Sequence, residues 1–193
     1  MGKSFEERIR RHIENFANPD MRTYTRSKSW LLRHYGVSAL DQLVEACGHP
    51  RPMVRYRAVW TLGHLKEPRA FKTILRLTDD PDEEVRYDAV MALGVLGDTR
   101  AIPHLHRMLL LLDHTRPASS ALIQLGLAAL PVAKKCMKNR CPEIRHAALN
   151  IIGNLAGNHG SPECLELLNK HLNDPDPEIR ADTEFWLGEI AEK

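Results

Sequence analysis

Val85, Ala89, Leu93 and Leu96 fall at i, i+4, i+8 and i+11, the spacing of one apolar stripe along a helix, and Gly94 sits inside that stripe. Glycine in a helix interior is less favourable than alanine by about 1 kcal/mol. A chain that keeps placing it there needs two backbones close together. This chain does keep placing it there: Gly36, Gly63, Gly126, Gly153 and Gly188 occupy the same phase. The preceding residue is Tyr35, Leu62, Leu93, Leu125, Ile152 or Leu187, and an arginine recurs eight positions before the glycine at Arg55, Arg86, Arg145 and Arg180. The glycines recur at intervals of roughly 30 residues, and self-similarity of that period marks an array of supersecondary units rather than a chain closed around one core.

Each unit of the array reads as two helices. Asp80-Pro81 predicts a turn followed by a helix start with Pro in its first turn, and Gly97-Asp98 predicts the stop. Taken along the chain, the pattern predicts pairs over 3–18 with 21–35, 38–47 with 51–65, 69–77 with 81–96, 99–112 with 115–128, 131–138 with 142–155, and 161–172 with 177–191. Ser4 and Glu7 form a capping-box signature ahead of the stripe Phe5, Ile9, Ile13 and Phe16. Gly48-His49-Pro50, Asp79-Asp80-Pro81, Gly157-Asn158-His159-Gly160 and Asn173-Asp174-Pro175 are expected turns. One unit departs from the pattern. Pro117 and Ala118 stand where Val and Arg are expected, and Pro131 follows Gly126 closely, so a short outer helix or altered curvature is expected between Asp113 and Cys136.

The segments DPDEEVRYDAVMALGVLGDTRAIPHL and DPDPEIRADTEFWLGEI resemble the HEAT repeat, in the short HEAT-like form named after phycobilisome lyases. The resemblance runs from Leu40 to the end and is weaker before it. It implies an all-α fold, a right-handed α-α superhelix of about six antiparallel helix pairs. Residues 1–36 are then expected as a divergent N-terminal capping pair, and 37–193 as HEAT-like repeats in one continuous solenoid. A terminal repeat has no outer neighbour, which is why such arrays need caps. At the arginine phase the family's arginine bonds the carbonyls of turns between repeats or a neighbouring turn's Asp, so Arg55, Arg86, Arg145 and Arg180 are read as structural, with Asp80 and Asp174 as candidate partners.

The chain has 27 Lys and Arg against 25 Asp and Glu, but residues 1–78 hold 15 against 7 and residues 79–193 hold 12 against 18. The basic first part could steer an anionic partner, although drifting surface charge in a solvated array gives the same tally. MGKSFEERIRRH lacks the apolar core of a signal peptide, and Glu6 breaks the myristoylation pattern that Gly2 would start. A cytoplasmic location and no membrane partner are therefore expected. The four cysteines have no paired C-x-x-C spacing and are expected to be reduced.

Catalytic and metal signatures are missing from the sequence. There is no G-x-S-x-G, no Gly-rich phosphate loop and no His-Glu dipeptide, the last being what the HEAT-like di-iron hydroxylases of deoxyhypusine rely on. His34, His64 and His146 belong to different repeats, and His104 and His106 lie on different helix faces. No catalytic residue, metal or cofactor is expected.

The candidate site lies instead on the face of the inner helices turned away from the apolar stripe. It comprises Tyr56, Trp60 and His64, then Tyr87 and Met91, then His146, Asn150 and Asn154, then Phe185, with Arg57 and Asp88 flanking. Ile123 and Leu127, at the same phase, are read as packing. Exposed Trp, Tyr, Met and Arg are the composition of an interface hot region. For Tyr56, Trp60, Tyr87 and Met91, binding surface and packing between repeats are equally open readings. The expected function is a non-enzymatic scaffold or adaptor that takes a protein or peptide on its concave face. The alternatives are a bilin-lyase-like or other enzyme-complex subunit, which the resemblance implies, and a nucleic-acid binder acting through the basic N-terminal third. The mixed charge of the face, with Asp88 and Asp182 beside Arg33 and Arg57, disfavours nucleic acid.

Overall fold

Every repeat predicted from the glycine phase is a helix pair. The computed structural model describes residues 4–111 and 114–192. These residues form twelve α-helices and no strand: α1 (Phe5–Glu14), α2 (Met21–His34), α3 (Leu40–Ala46), α4 (Pro52–Leu65), α5 (Phe71–Leu77), α6 (Glu83–Leu96), α7 (Ile102–Leu109), α8 (Thr115–Gln124), α9 (Leu130–Cys136), α10 (Pro142–His159), α11 (Pro162–His171) and α12 (Pro177–Ala191). Short 3-10 turns precede α3, α5, α7 and α9. Lys3, Leu112 and Asp113, which fall within the sequence readings, lie outside the described residues.

The helices cluster into two compact units, with the chain passing from the first to the second between Asp98 and Thr99. The expected boundary after residue 36 falls inside the first unit, where the 3-10 turn Gly36–Ala39 joins α2 to α3. In the first unit α1, α3 and α5 pair with α2, α4 and α6, and the even-numbered helices pack on one another in order. The second unit repeats this scheme, with α7, α9 and α11 outside and α8, α10 and α12 inside. Positions 36–65 align with 126–155 without a gap: Gly36 with Gly126, Leu40 with Leu130, Pro52 with Pro142, Arg55 with Arg145, Gly63 with Gly153.

The predicted stripe is the core. Val85, Ala89 and Leu93 are fully buried, as are Ala58 and Leu62 in α4 and Ala148 and Ile152 in α10. Two of the helical glycines, Gly63 and Gly153, do the expected work, whereas a Cβ on Gly188 would meet nothing within 4 Å. A Cβ on Gly63 would stand 2.9 Å from the Ala92 carbonyl oxygen, and one on Gly153 would fall 2.2 Å from the Trp186 ring. Gly36 and Gly126 act differently. Their φ values of 49° and 67° are left-handed, and each ends an inner helix and starts a 3-10 turn into the next outer helix.

That conformation explains the irregular repeat. Its outer helix α9 has 7 residues, as α3 and α5 do, so no unusually short outer helix exists there. The inner helix α8 is the short one, 10 residues against 14 in α4 and α6, because Gly126 terminates it early. Leu127 therefore lies in the turn after α8 and is 45% exposed, contrary to the packed position expected of it. Two other boundaries differ. α6 begins at Glu83 because the Asp82 side chain caps it, accepting from the Val85 amide, and Asp80-Pro81 stays in the turn. α10 continues through Gly157-Asn158-His159 to a left-handed Gly160, so that segment is helix rather than turn. The capping box of Ser4 and Glu7 is formed in both directions.

The recurring arginines are structural. Arg55 bonds the His49 and Pro50 carbonyls, Arg86 those of Asp80 and Pro81, Arg145 those of Asn139 and Arg140, and Arg180 those of Asp174 and Pro175. Each clamps the turn that leads into its own helix, satisfying carbonyls that the turn leaves unpaired. Cys47, Cys136, Cys141 and Cys164 are free thiols, and burial pushes Cys47 up to about 12, well outside the range of a reactive thiolate.

Candidate binding face on the inner helices

In the first unit the face is built by α4 and α6, held close at Gly63. Successive turns of α4 present Tyr56, Trp60 and His64, and those of α6 present Tyr87 and Met91, as the spacing predicted. Trp60 and His64 are half-buried and pack edge to face with ring centroids 4.6 Å apart. His64 Nδ1 lies 2.9 Å from the Trp60 carbonyl oxygen, which can only accept, so the proton sits on Nδ1. Tyr56 and Met91 are half-buried, and Tyr87 is 47% exposed.

Arg57 is a correction to the sequence reading. It was expected on this face and is instead 2% exposed. Its Nη1 donates to the carbonyls of Phe16 and Asn18, its Nη2 lies 3.3 Å from Met21 Sδ, and its guanidinium carbon is 4.8 Å from the centre of the Tyr24 ring. The connection from α1 to α2 exposes carbonyls that its own backbone cannot satisfy. The long side chain of Arg57 reaches back from α4 to satisfy them. Tyr24 closes the arrangement: its hydroxyl donates to the Arg57 carbonyl at 3.4 Å, and burial raises it to about 12.

Asp88 does lie beside the aromatic row. It is half-buried and forms no hydrogen bond or ion pair with a described residue. Burial, followed by the charge of Glu84, raises its carboxyl to about 6. Tyr56, Glu83, Glu84, Tyr87 and Asp88 line one recess of about 590 Å³. Glu83 and Glu84 were not singled out from the sequence. They open α6 and read as ordinary N-terminal helix acids, and only the packing of α4 against α6 brings them to Tyr56. A second recess, of about 440 Å³, lies between α1 and α3 and includes Ile13, Gln42, Glu45 and Val54.

In the second unit His146, Asn150 and Asn154 follow one another along α10, and Phe185 stands 59% exposed on α12. Asn154 Nδ2 donates to the Asn150 carbonyl at 2.9 Å. His146 is held by two acids of α12, with Nδ1 2.8 Å from Asp182 and Nε2 3.5 Å from Glu178. The structure thus joins His146 to side chains that the sequence left in another repeat. Among the described residues, His146, Asp176 and Glu178 are the one group close enough to share a cation. Asp176 is already engaged there, capping α12 through the Glu178 amide and lying 3.2 Å from Arg145 Nη2. The described helices include none long and apolar enough to cross a membrane.

The HEAT-repeat family model matches residues 40–126. No curated protein sequence matches the chain. Among solved structures, the complex of CpcE and CpcF of phycocyanin lyase from Nostoc is similar with a TM-score of 0.55 at 23% identity, over 98% of this chain and 78% of that one. A designed armadillo repeat protein in complex with the peptide (KR)4 is similar with a TM-score of 0.47 at 18% identity, over 94% of this chain and 99% of that one. Human deoxyhypusine hydroxylase is similar with a TM-score of 0.42 at 16% identity, over 97% of both chains. The pattern of arginine, small residue and glycine, the antiparallel pairs it produces and the matched family model agree: residues 40–126 are HEAT repeats, and the all-α fold of the chain is similar to that of the phycocyanin lyase complex.

Proposed function

We propose that this chain is a non-enzymatic scaffold that binds a protein or peptide segment on the exposed face of its inner helices. The observation that carries the reading is Tyr87, a large aromatic side chain 47% exposed in the middle of a well-packed helix and flanked by Tyr56, Trp60 and Met91. Aromatic side chains in such a setting contribute most of the energy of protein interfaces, because they bury a large area and lose little conformational freedom. Phe185 offers an equivalent anchor in the second unit, with His146, Asn150 and Asn154 as polar contacts. Glu83, Glu84 and Asp88 beside Tyr56 would repel a phosphate backbone, so protein fits this face better than nucleic acid.

The test is a pull-down with the Trp60→Ala, Tyr87→Ala double variant, accompanied by circular dichroism and thermal melting. The variant is expected to keep the helical content of the parent and to lose at least one specific partner. An unchanged partner list with an intact fold would remove the face from consideration.

A further inference from the structure

The recess between α4 and α6 has a chemistry more specific than an aromatic patch. Two tyrosines, Tyr56 and Tyr87, stand on its sides, and three carboxylates, Glu83, Glu84 and Asp88, share it with them. The guanidinium that reaches its Tyr56 wall is already committed. Arg57 approaches the Tyr56 ring, with its guanidinium carbon 5.8 Å from the centre, but it directs its Nη1 protons to the carbonyls of Phe16 and Asn18. Asp88 is half-buried, and none of the described residues gives it a hydrogen bond or an ion pair.

A carboxylate taken partly out of water without a partner is unfavourable. A cation placed against it regains that loss, and a cation over a tyrosine face gains further. Carboxylates alone would attract any cation, including the solvent's. Aromatic walls favour one carried on an organic stem, because the stem also buries apolar surface. We infer that this recess receives the guanidinium or ammonium group of an arginine or lysine presented by the bound protein segment. The inference rests on the reading of the inner-helix face as a protein-binding surface, and it names the chemistry of what binds there.

Fluorescence anisotropy on the full chain tests it, with a labelled tetra-arginine peptide as probe, a tetraglutamate peptide as its opposite, and amide shifts by NMR to locate the contact. Tetra-arginine is expected to bind saturably, to weaken as salt is raised, and to shift amides of Tyr56 and Tyr87. The Glu84→Gln, Asp88→Asn variant, which keeps side-chain size, is expected to bind at least tenfold more weakly. Glu166→Gln, which changes an exposed carboxylate paired with Lys170 in the second unit, should leave binding as it was. Saturable binding of tetra-arginine at parental strength by the double variant would overturn the inference, and so would the absence of saturable binding. If tetra-arginine fails to bind while Trp60→Ala, Tyr87→Ala still loses its partner, cation recognition falls and the binding face stands.

Discussion

Arg55 and Asp80 meet through two parallel bonds, Arg55 Nε to Asp80 Oδ2 at 2.9 Å and Nη2 to Oδ1 at 2.7 Å. The pair joins the start of α4 to the turn before α6, so one repeat's arginine holds the next repeat's entry. Both side chains are largely enclosed, with 12% and 5% exposure. Asp80 also accepts from the Asp82 amide, and its carbonyl accepts from Arg86. Burial pushes the Asp80 carboxyl up, but the bonds from Arg55 and the Asp82 amide and the charges of Arg55 and Arg86 outweigh it and hold the carboxyl below its usual range. Arg145 makes a looser version in the second unit, with Nη2 3.2 Å from Asp176 and 3.8 Å from Asp174 and its Nε unpaired.

Removing Arg55 while leaving Asp80 enclosed strands a carboxylate. Breaking a buried pair from one side costs about 3–5 kcal/mol, and the residual exposure here places Arg55→Met below that range, at about 2–3 kcal/mol by urea denaturation. Arg145→Met should cost less, because its carboxylate contacts are longer and are made through one nitrogen. The sign with pH follows from the depressed carboxyl: the stability it adds is present above the ordinary Asp range and lost as pH falls through the folded value. The difference between parent and Arg55→Met should therefore shrink below about pH 4. Equal losses for the two arginines would show that the carbonyl bonds, not the carboxylate, matter.

The glycines make a sharper test, because alanine is intrinsically the better helix former by about 1 kcal/mol. Gly63→Ala sets a methyl against the Ala92 backbone, and Gly153→Ala sets one into the Trp186 ring. Each should destabilise by about 1–3 kcal/mol, the usual range for overpacking. Gly188→Ala meets nothing within 4 Å and lies inside α12, so it should stabilise by about 0.5–1 kcal/mol. Combining Gly153→Ala with Trp186→Leu should recover part of the first loss, measured as coupling in a double-mutant cycle.

What was legible in the sequence is what repeats. The stripe of Val85, Ala89 and Leu93, the glycine phase and the arginine clamps each recur, and recurrence separates a structural requirement from accident. Gly36 and Gly126 share that phase but end helices rather than admit a neighbour, and a phase cannot distinguish a missing Cβ from a left-handed φ. Arg57 was misplaced because its partners are backbone carbonyls near Asn18, and carbonyls leave no mark on a sequence. Glu83 and Glu84 were passed over because acids at a helix start have a local explanation, and their meeting with Tyr56 depends on how α6 lies on α4. The contact of His146 with Asp182 and Glu178 depends in the same way on α10 and α12.

Arg57→Leu tests the reassignment. The variant leaves the Phe16 and Asn18 carbonyls without their donor and removes the cation from the Tyr24 ring. A loss of about 2–4 kcal/mol is expected, at the upper range for an unsatisfied buried polar group because two acceptors are affected. Limited proteolysis should show new cleavage near residues 15–20, where the clamp is released. A variant as stable as the parent, and equally resistant to protease, would return Arg57 to the surface.

Asp88 gives the opposite expectation, a substitution that strengthens the fold. Its carboxyl is raised to about 6 by burial and by Glu84. The charged form is therefore disfavoured in the folded chain. The stability that the protonated form provides is complete below the unfolded value near pH 4 and is lost as pH rises through about 6. Asp88→Asn should then raise the melting temperature by a few degrees at pH 8 and leave it nearly unchanged at pH 4. The acids that share its recess are Glu83 and Glu84 on its own helix, and the Tyr24 hydroxyl on α2, raised to about 12 by burial, does not titrate in that interval. Residues kept at some expense of stability tend to serve binding. The variant that melts higher should therefore be the one that binds tetra-arginine more weakly, and a gain in both properties would separate the unpaired carboxylate from function.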